Sequence, residues 1–246
     1  DYAWFGASID LDGGRAVVGA ELADVAFTFD LARREPLAEL VAVDGELHDS
    51  FGESVSIEAQ HAIVGAPFHS AVGMWSGAAY VFDAQTGAQR FKLVPRDAAP
   101  VDHFGGDVAL SANLAVIGAW ADYDAGTASG SAYVFDVTTG KELFKLVASD
   151  GAPGDHFGEY LAVDGDRAII GAWGHDAAGE SSGAAYVFDL RTGRELGKLT
   201  AGDGEAYDVF GSAVDIARDR AIDGAAGDDE QGADSGSAYV FYVVTG

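Results

Sequence analysis

The chain has 246 residues and no cysteine, and its 40 acidic side chains outnumber its 14 basic ones to give a formal net charge of −26. This charge argues against nucleic acids and anionic membranes as partners, because both need basic residues, whereas it permits divalent cations, basic partners or adaptation to high salt. The lack of cysteine excludes disulfide bonds, thiol nucleophiles and cysteine-based zinc sites.

The chain is built from five copies of one unit. A Phe-Gly pair recurs with a spacing of 46 residues and then of 53, at Phe5, Phe51, Phe104, Phe157 and Phe210. The tripeptide Tyr-Val-Phe also recurs every 53 residues, at Tyr80, Tyr133, Tyr186 and Tyr239. A fixed period of this length predicts a repeat architecture and a single domain. The units span about residues 1–40, 41–93, 94–146, 147–199 and 200–246.

Each unit contains four short apolar runs. In the third unit they are residues 107–110, 114–118, 132–135 and 143–147, which are rich in Val, Ile, Phe and Tyr. Runs of this length are typical of strands and are too short for helices. Between the third and fourth runs, Asp136–Gly140 ends in a glycine that can adopt the positive φ of a short hairpin turn. The unit is therefore a predicted four-stranded antiparallel meander, and five meanders predict an all-β fold, a five-bladed β-propeller.

The first and last units depart from this pattern. The first unit is shorter between its second and third strands, has Arg34 where the others have glycine, and carries Pro36 in its fourth strand. Proline is tolerated at sheet edges, so the fourth strand is predicted to be the outer edge. The fifth unit reaches Gly246 without a fourth strand, so we expect either a three-stranded last blade or a chain trimmed from a six- or seven-bladed ring. Because the chain starts inside a unit at Asp1, we expect that an N-terminal segment has been removed or left out.

The loops of a meander fall alternately on two faces of the disc. The blade-to-blade links and the loops between second and third strands share one face, which we name the link face. Five of the six histidines, all but His61, and all four tryptophans are predicted to lie there. Because binding residues are concentrated on loops, the link face is the predicted functional surface. The links are residues 44–49, 97–102, 150–155 and 203–208.

Each link carries two aspartates in the pattern Asp-x4-Asp-x-Phe-Gly. Paired carboxylates in loops suit Ca²⁺, which takes six to eight oxygen ligands. An aspartate at a turn also accepts hydrogen bonds from its own backbone, so a structural and a calcium interpretation both stay open. The candidate calcium ligands, which include acidic residues of the second-to-third loops, are Asp97, Asp102, Asp122, Asp124, Asp150, Asp155, Asp176, Asp203, Asp208, Asp228 and Asp229.

Aromatic residues of the link face are candidates for ligand binding. They are Trp75, Trp120, Tyr123 and Trp173, together with His175. The tryptophan rings could stack on sugars or could simply cover the blade tops. His103 and His156 each precede a Phe-Gly pair and are expected to serve in packing. The histidines lack zinc spacing, and the symmetry-breaking loops contain no Ser-His-Asp order or nucleophile elbow, although an acid pair for glycoside cleavage stays open.

Two dipeptides mark every unit. Phe-Gly stands at its start, and Gly-Ala follows the second strand, once as Gly65-Ala66-Pro67. This signature resembles the FG-GAP repeats of integrin α-subunit heads, and the wider pattern over residues 148–189 is closer still to bacterial and archaeal FG-GAP-type repeats. The resemblance implies a β-propeller, often extracellular, that serves adhesion or ligand binding. The calcium motif of integrin repeats, D-x-D-x-D-G-x-x-D in the first-to-second hairpin, survives at most as remnants in Asp10–Gly13 and Asp164–Asp166.

These observations predict a non-enzymatic binding or adhesion module that presents its link face to a protein or glycan ligand, with Ca²⁺ as a candidate cofactor. One alternative is a carbohydrate-active protein, either a lectin or a polysaccharide lyase or hydrolase, that uses the same face. Another is a scaffold domain of a larger surface protein. We expect an extracellular or cell-surface location and a monomer or part of a larger protein. We expect no membrane insertion, because no apolar run approaches the roughly 20 residues of a membrane helix.

Overall fold

The structure is a computed structural model that describes residues 3–230, 232 and 235–243. Asp1 and Gly246, which the expectations about the chain ends concern, lie outside the described residues. A single 3₁₀ turn, Glu21–Ala23, occurs among the described residues, and the rest of the regular structure is strand. The strands are β1 Phe5–Asp12, β2 Arg15–Ala20, β3 Val25–Asp30, β4 Glu35–Leu40, β5 Val55–Glu58, β6 His61–Ala66, β7 Ala78–Asp83, β8 Gln89–Leu93, β9 Phe104–Ser111, β10 Leu114–Ala119, β11 Ser131–Asp136, β12 Lys141–Leu146, β13 Leu161–Asp164, β14 Arg167–Ala172, β15 Ala184–Asp189, β16 Arg194–Leu199, β17 Phe210–Ala217, β18 Arg220–Ala225 and β19 Ser237–Tyr242.

The strands form five antiparallel sheets in chain order. Four sheets have four strands each, β1–β4, β5–β8, β9–β12 and β13–β16, and the fifth has β17–β19 within the described residues. The prediction of an all-β, five-bladed propeller built from antiparallel meanders is confirmed. Pro36 lies in β4, which is a sheet edge, and a proline there removes no hydrogen bond from the interior of the sheet.

The first strand of the third sheet begins earlier than its apolar run predicts. The run in the third unit begins at Asp107, whereas β9 begins at Phe104. Phe104 pairs with Ala119 across a shift in register, and Gly105 beside it has a φ of +97°. A β-bulge of this kind bends the strand near its beginning and interrupts the regular alternation of side chains. The alternation of apolar residues in the sequence therefore does not reveal where the strand begins.

The hydrophobic core consists of layers between consecutive sheets. In the layer between the second and third sheets, the fully buried Ile63 and Val81 belong to the same cluster as Phe104, Ile117 and Tyr133. Equivalent clusters lie between the first and second, third and fourth, and fourth and fifth sheets. Each large apolar side chain in such a layer contributes about 1.5–3 kcal/mol. Stability therefore comes from stacking the units, as expected of a repeat protein.

The Phe-Gly and Gly-Ala dipeptides of neighbouring sheets meet in these layers. Gly118 lies so close to Gly158 that an ideal Cβ atom on Gly118 would stand 1.8 Å from the Gly158 carbonyl oxygen. Gly158 itself has a φ of +92°, in the region that favours glycine. The repeated dipeptides are thus a backbone-to-backbone contact between units. The same contact joins Gly65 with Gly105 and Gly171 with Gly211.

The two end sheets leave their outward faces exposed. Phe5 and Ile9 of β1 are 58% and 64% exposed, whereas their counterparts Phe51 and Val55 in the second sheet are buried. At the other end, Val240 of β19 is 61% exposed. Each of these faces is one half of an inter-sheet layer, and no described residues form its other half. The described part of the chain contains no helix with the length and hydrophobicity that a bilayer crossing requires.

Candidate functional site

The links and the second-to-third loops are hydrogen-bonded to each other on one face. The Phe68 amide donates to the Asp49 carbonyl at 3.2 Å, and the Gly174 amide donates to the Asp155 carbonyl at the same distance. The Ala121 amide donates to the Asp102 carbonyl at 3.3 Å. The link face is therefore one surface assembled from both kinds of loop.

A lysine of the fourth strand lies at the centre of a polar cluster under this face. In the fourth sheet, the Lys198 ammonium is 2.7 Å from Asp150 Oδ2 and 2.6 Å from His175 Nε2. His175 Nδ1 is 2.9 Å from Asp155 Oδ2, and the Tyr186 hydroxyl donates to Asp150 Oδ1 at 2.7 Å. Because an ammonium group can only donate, Nε2 of His175 accepts, and the ring proton on Nδ1 is donated to Asp155. We name this arrangement the lysine cluster.

The second sheet repeats the lysine cluster with the same residue types. The Lys92 ammonium is 2.5 Å from Asp44 Oδ2 and 2.8 Å from His69 Nε2. His69 Nδ1 is 2.6 Å from Asp49 Oδ2, and the Tyr80 hydroxyl donates to Asp44. The histidine, like its counterpart in the fourth sheet, is buried. Two sheets therefore hold the same five-residue network.

In the third sheet, aspartate replaces the histidine of the lysine cluster. The Lys145 ammonium contacts Asp97 at 2.7 Å, Asp122 at 3.1 Å and Asp124 at 2.5 Å. Burial alone would lower the pKa of Lys145, but hydrogen bonds to Asp124 and Asp97 and the charge of Asp122 raise it above the usual lysine range. The lysine is therefore a fixed cation among three carboxylates.

The second aspartate of each link is a turn residue. Its Oδ2 atom accepts the backbone amide three residues earlier, at 2.6 Å for Asp102 and 2.8 Å for Asp155. Asp208 and Asp49 accept the equivalent amide at 2.7 Å. Burial, together with the neighbouring charge of Asp122, raises the pKa of Asp102 to about 6, although the hydrogen bond from the Ala99 amide opposes the rise. The structural interpretation of the Asp-x4-Asp pattern accounts for these four buried carboxylates.

Calcium does not fit the lysine clusters of the second, third and fourth sheets. Their carboxylates already hold an ammonium group at the position where a cation would bind. Among the described residues, no group of three or more His, Asp or Glu side chains is placed to hold a metal ion. Asp176 lies apart on an exposed loop, where its Oδ1 accepts the Ser181 amide.

The fifth sheet contains the same carboxylates without the lysine. The Tyr239 hydroxyl lies 2.9 Å from Asp203 Oδ1 and 2.7 Å from Asp228 Oδ2. The described part of this sheet has no fourth strand, and hence no counterpart of Lys198. A pocket of about 220 Å³ is found here, which we name the fifth-sheet pocket. It is lined by Asp203, Glu205, Asp208, Asp228, Asp229 and Glu230.

Three tryptophans of the link face are joined into one stack by two histidines. The His103 ring lies 4.7 Å from the Trp120 ring at an angle of 8°, and the His156 ring lies 4.6 Å from the Trp173 ring at 14°. Trp120 also stacks on His156 at 5.4 Å, and Trp75 stacks on His103 at 6.1 Å. We name this series, Trp75–His103–Trp120–His156–Trp173, the aromatic row. It crosses the second, third and fourth sheets.

The aromatic row unites three of the predicted ligand-binding residues and omits the other two. Trp120 has a histidine ring against both faces, so its ring cannot stack on a sugar. Tyr123 lies outside the row and is 52% exposed. His175 is buried in a lysine cluster, where its Nε2 atom accepts from Lys198, and its role in ligand binding stays a prediction. Of the predicted residues, Trp75 and Tyr123 are the exposed ones.

The packing role expected for His103 and His156 agrees with their positions in the row. Burial lowers the pKa of both imidazoles, so they are neutral rings near pH 7. Sequence reasoning did not connect them to the tryptophans. The available signal was that histidine before Phe-Gly and tryptophan after Gly-Ala occur together in the third and fourth units.

Carboxylates gather beside the aromatic row, toward the inner strands. Glu53 and Glu159 both follow a Phe-Gly pair, and Trp173 Nε1 donates to Glu159 Oε2 at 2.7 Å. Burial, together with the charges of Glu21, Glu159 and Asp107, raises the pKa of Glu53 to about 7. Burial also raises the pKa of Asp107 to about 7, although it accepts the Leu161 amide. Sequence analysis did not single out these residues.

On the face opposite the link face, the inner strands β1, β5, β9 and β13 line a groove of about 490 Å³. Its carboxylates connect neighbouring sheets. Asp10 Oδ2 accepts from the Ser56 hydroxyl and the Ile57 amide, both at 2.8 Å. The Arg218 amide donates to Asp164 at 2.5 Å. These remnants of a hairpin acidic motif therefore serve in inter-sheet packing.

Comparison with known proteins supports both the repeat and the fold. The sequence profile of the FG-GAP repeat matches residues 36–82, 88–135, 141–188 and 194–241, which is most of the chain. The comparison with curated proteins gives no match. Among solved structures, the crystal structure of the computationally designed Ika4 protein is similar, with a TM-score of 0.53 and 19% sequence identity. The similarity covers 84% of this chain and 99% of that chain, and at this identity it concerns the fold alone.

Proposed function

Because the chain belongs to the FG-GAP repeat family, we propose that it is a non-enzymatic binding module whose link face binds a positively charged protein ligand. Propellers of this family are generally non-catalytic. The observation that carries the proposal is the aromatic row with Glu53 and Glu159 beside it. A rigid aromatic surface next to partly buried carboxylates suits the side chains that dominate protein interfaces, namely aromatic residues and arginine.

The charge of the link face favours a basic partner. The side chains of Asp44, Asp97 and Asp150 are about half exposed there, while the lysines beside them are already ion-paired. The chain as a whole carries a net charge of −26. A field of this sign accelerates association with positive ligands and slows association with negative ones.

A carbohydrate ligand has less support than a protein ligand. Sugar binding by stacking needs an accessible ring face, and both faces of Trp120 are covered by histidine. Within the row, the end rings Trp75 and Trp173 are candidates for stacking, and the exposed Tyr123 is a third candidate outside the row. A glycan array probed with the same chain tests the carbohydrate-active alternative directly.

Selection of random peptides against the immobilised chain is the experiment that tests the proposal. We expect the enriched peptides to be rich in arginine and lysine and to bind at least tenfold more weakly to the Trp75→Ala and Tyr123→Ala variants. Such a loss equals about 1.4 kcal/mol and is typical of an exposed aromatic anchor. Fluorescence anisotropy with a selected peptide measures it.

The matched control is Leu196→Ala, which removes an exposed apolar side chain from β16, away from the link face. It should leave peptide affinity unchanged. Failure to enrich basic peptides, or an equal loss of affinity in the control, would refute a protein-binding role for the link face. Binding to glycans alone would support the carbohydrate-active alternative instead.

Calcium assistance stays a prediction. The described residues contain no preformed metal site, so we restrict the prediction to the fifth-sheet pocket, where no described lysine occupies the carboxylates and an ion would have to draw the acidic side chains together. An ion that binds only the folded state at a hundredfold excess over its Kd stabilises by about 2.7 kcal/mol. We therefore expect a Tm about 5 °C higher in Ca²⁺ than in EDTA, measured in high NaCl to suppress general screening. Asp228→Asn should abolish the difference. Identical melting curves in Ca²⁺ and EDTA would exclude the site.

An extracellular or cell-surface location belongs to the same proposal. FG-GAP repeats commonly have this location, and an adhesion role requires it. Digestion of intact source cells with an external protease checks the proposal, because a surface protein is degraded while a cytoplasmic marker survives. Protection of the chain equal to that of the marker would contradict it.

A further inference from the structure

The first residue of each second strand lies at the cleft to the next sheet, on the face opposite the link face. In the first four sheets this residue pairs with the aspartate that ends the third strand, and it is Arg15, His61, Leu114 and Arg167 in turn. Arg15 donates across the cleft to the Ala59 carbonyl at 2.7 Å, and Arg167 donates to the Val243 carbonyl at 2.5 Å. Leu114 packs into the core layer between the third and fourth sheets. Three of the four residues therefore bond or pack toward the neighbouring sheet.

His61 does neither. Its Nδ1 atom is buried and has no hydrogen-bond partner among the described residues. Its Nε2 atom is 3.4 Å from the side-chain amide nitrogen of Gln60, which can only donate, so the ring proton lies on Nδ1. Burial and the charge of Arg90 lower the pKa of His61, although the charge of Asp83 opposes this, so the ring is neutral near pH 7. A buried donor without an acceptor is uncommon in folded proteins and indicates a partner other than the described residues.

A pocket of about 310 Å³ lies beside His61 between the second and third sheets, and we name it the His61 pocket. The second sheet contributes Gln60, His61, Asp83 and Arg90, and the third sheet contributes Thr138. Phe91 and Val137 form the apolar part of the lining. This volume is at the lower end of the range of about 300–1,000 Å³ for small-molecule sites, and the mixture of apolar and polar groups is typical of them.

Arg90 also departs from the repeat. It is the extra residue of the bulge in β8, and the same position in β12 and β16 is occupied by Leu143 and Leu196. The Arg90 guanidinium is 2.6 Å from Asp83 Oδ2. This hydrogen bond, together with that from the Thr86 hydroxyl, lowers the pKa of Asp83 to about 2, so the two side chains form a charged pair. The cleft thus contains a guanidinium and an imidazole where the next cleft has two leucines.

The charges around the His61 pocket favour a neutral ligand. Arg90 and Asp83 neutralise each other, and the backbone amide and hydroxyl of Thr138 both donate to Asp136 Oδ1, at 2.8 Å and 2.6 Å. An anion in the pocket would lie near two carboxylates, and a cation would lie near the guanidinium. Neither charge is favoured over the other.

The hydrogen-bonding groups of the pocket favour a ligand with several hydroxyl groups. The Arg90 guanidinium and the Nδ1–H of His61 can only donate, whereas the Thr138 hydroxyl has already donated its proton to Asp136 and can only accept. The Gln60 amide does both. Neighbouring hydroxyl groups, each of which can donate and accept, match such a mixed set.

We propose that the His61 pocket binds one residue of a neutral sugar. Arg90 and His61 donate to oxygen atoms of the sugar, and the Thr138 hydroxyl and the Gln60 carbonyl oxygen accept from its hydroxyl groups. The C–H groups of the ring contact Phe91. The site is on the face opposite the link face and shares no residue with the aromatic row.

Saturation-transfer difference NMR of the full chain with glucose, galactose, mannose and N-acetylglucosamine tests the proposal. We expect at least one of these sugars to bind saturably. Inorganic phosphate and glucuronate serve as anionic probes and should compete at least tenfold more weakly than the sugar that binds. Because Trp75 belongs to the link face, Trp75→Ala should leave the affinity for the sugar unchanged.

The repeat itself provides the substitutions that should close the site. His61→Leu and Arg90→Leu introduce the residues found at Leu114 and Leu143, which the third sheet accommodates. Each variant should weaken sugar binding at least tenfold while its Tm stays within about 3 °C of that of the parent. The matched control is Arg191→Leu, which removes an exposed arginine paired with Asp189, the counterpart of Asp83, and should leave sugar binding unchanged.

Three results would overturn the proposal. They are the absence of saturable binding by all four sugars, binding of phosphate or glucuronate that equals or exceeds that of the neutral sugars, and an equal loss of affinity in Arg191→Leu. Loss of sugar binding in Trp75→Ala but not in His61→Leu would place the sugar on the link face instead. The basic peptides selected for the link face should bind His61→Leu as tightly as the parent, so the two proposals fail separately.

Discussion

Replacing Gly118 by alanine is expected to destabilise the protein by at least about 4 kcal/mol, or to prevent folding. The new Cβ atom would lie 1.8 Å from the carbonyl oxygen, 2.9 Å from the carbonyl carbon and 3.4 Å from the Cα atom of Gly158. These are backbone atoms of the neighbouring sheet, so no side-chain rotation can relieve the clash. The third and fourth sheets would have to separate and expose their shared core layer. Urea-induced unfolding followed by circular dichroism measures the loss.

Gly197→Ala is the matched control for this prediction. Gly197 lies in β16, and an ideal Cβ atom there has no neighbour within 4 Å. Alanine restricts the unfolded chain more than glycine does, so this variant should be as stable as the parent or up to about 1 kcal/mol more stable. If Gly118→Ala were destabilised by less than about 1 kcal/mol, the close contact with Gly158 could not be the reason for the repeated dipeptides.

The contact between Gly118 and Gly158 illustrates what the sequence could and could not predict. The 53-residue period, the lengths of the apolar runs and the turn glycines correctly predicted five antiparallel sheets in chain order. Each of these signals lies within one unit. The reason for the Phe-Gly and Gly-Ala pairs lies between units, because Gly118 and Gly158 belong to different sheets. A period reveals that the glycines recur, but not which backbone they approach.

The candidate site was predictable to a similar extent. The sequence placed aspartates, tryptophans and histidines on one face, because loop positions follow from the order of strands. It did not predict the partners of the aspartates, since the lysines come from fourth strands that were treated only as edges. The signal was present, because Lys92, Lys145 and Lys198 recur with the same 53-residue period. The aromatic row was missed for the same reason as the glycine contact, since Trp75 and His103 belong to neighbouring units.

In the fifth sheet, Asp223 stands where the second, third and fourth sheets have an apolar residue, and we expect this difference to lower the stability of the protein. It stands in β18 where the other sheets have Val64, Ile117 and Ile170, and it is 1% exposed. Its Oδ1 atom accepts the Gly211 amide at 2.7 Å, and no described residue bonds to its buried Oδ2 atom. Burial raises the pKa of Asp223 to about 7, although the hydrogen bond from Gly211 opposes the rise. A buried, half-satisfied carboxyl in an apolar layer is a source of instability.

Replacing Asp223 by valine is expected to stabilise the protein by about 4 kcal/mol at pH 8. The pKa rises from 3.8 in the unfolded chain to about 7 in the folded one, so folding is penalised wherever the buried carboxyl must ionise. The penalty is absent below the unfolded pKa, grows as the pH rises from about 4 to 7, and is complete above the folded pKa. The Gly211 amide can then bond to the Gly224 carbonyl, as Gly158 bonds to Gly171. Urea unfolding of both proteins from pH 5 to pH 8 measures the gain.

The dependence on pH distinguishes removal of the charge from improved packing. Asp223→Asn keeps the shape of the side chain and cannot ionise, so its stability relative to the parent should also increase with pH. Asp215→Asn changes an exposed carboxylate of the adjacent strand β17 and should alter stability by less than about 0.5 kcal/mol at any pH. A gain for Asp223→Val that is constant from pH 5 to pH 8 would mean that valine acts by filling space alone. A loss of stability at pH 8 would show that the ionised carboxylate is stabilising, which is the result expected if a cation is bound beside it.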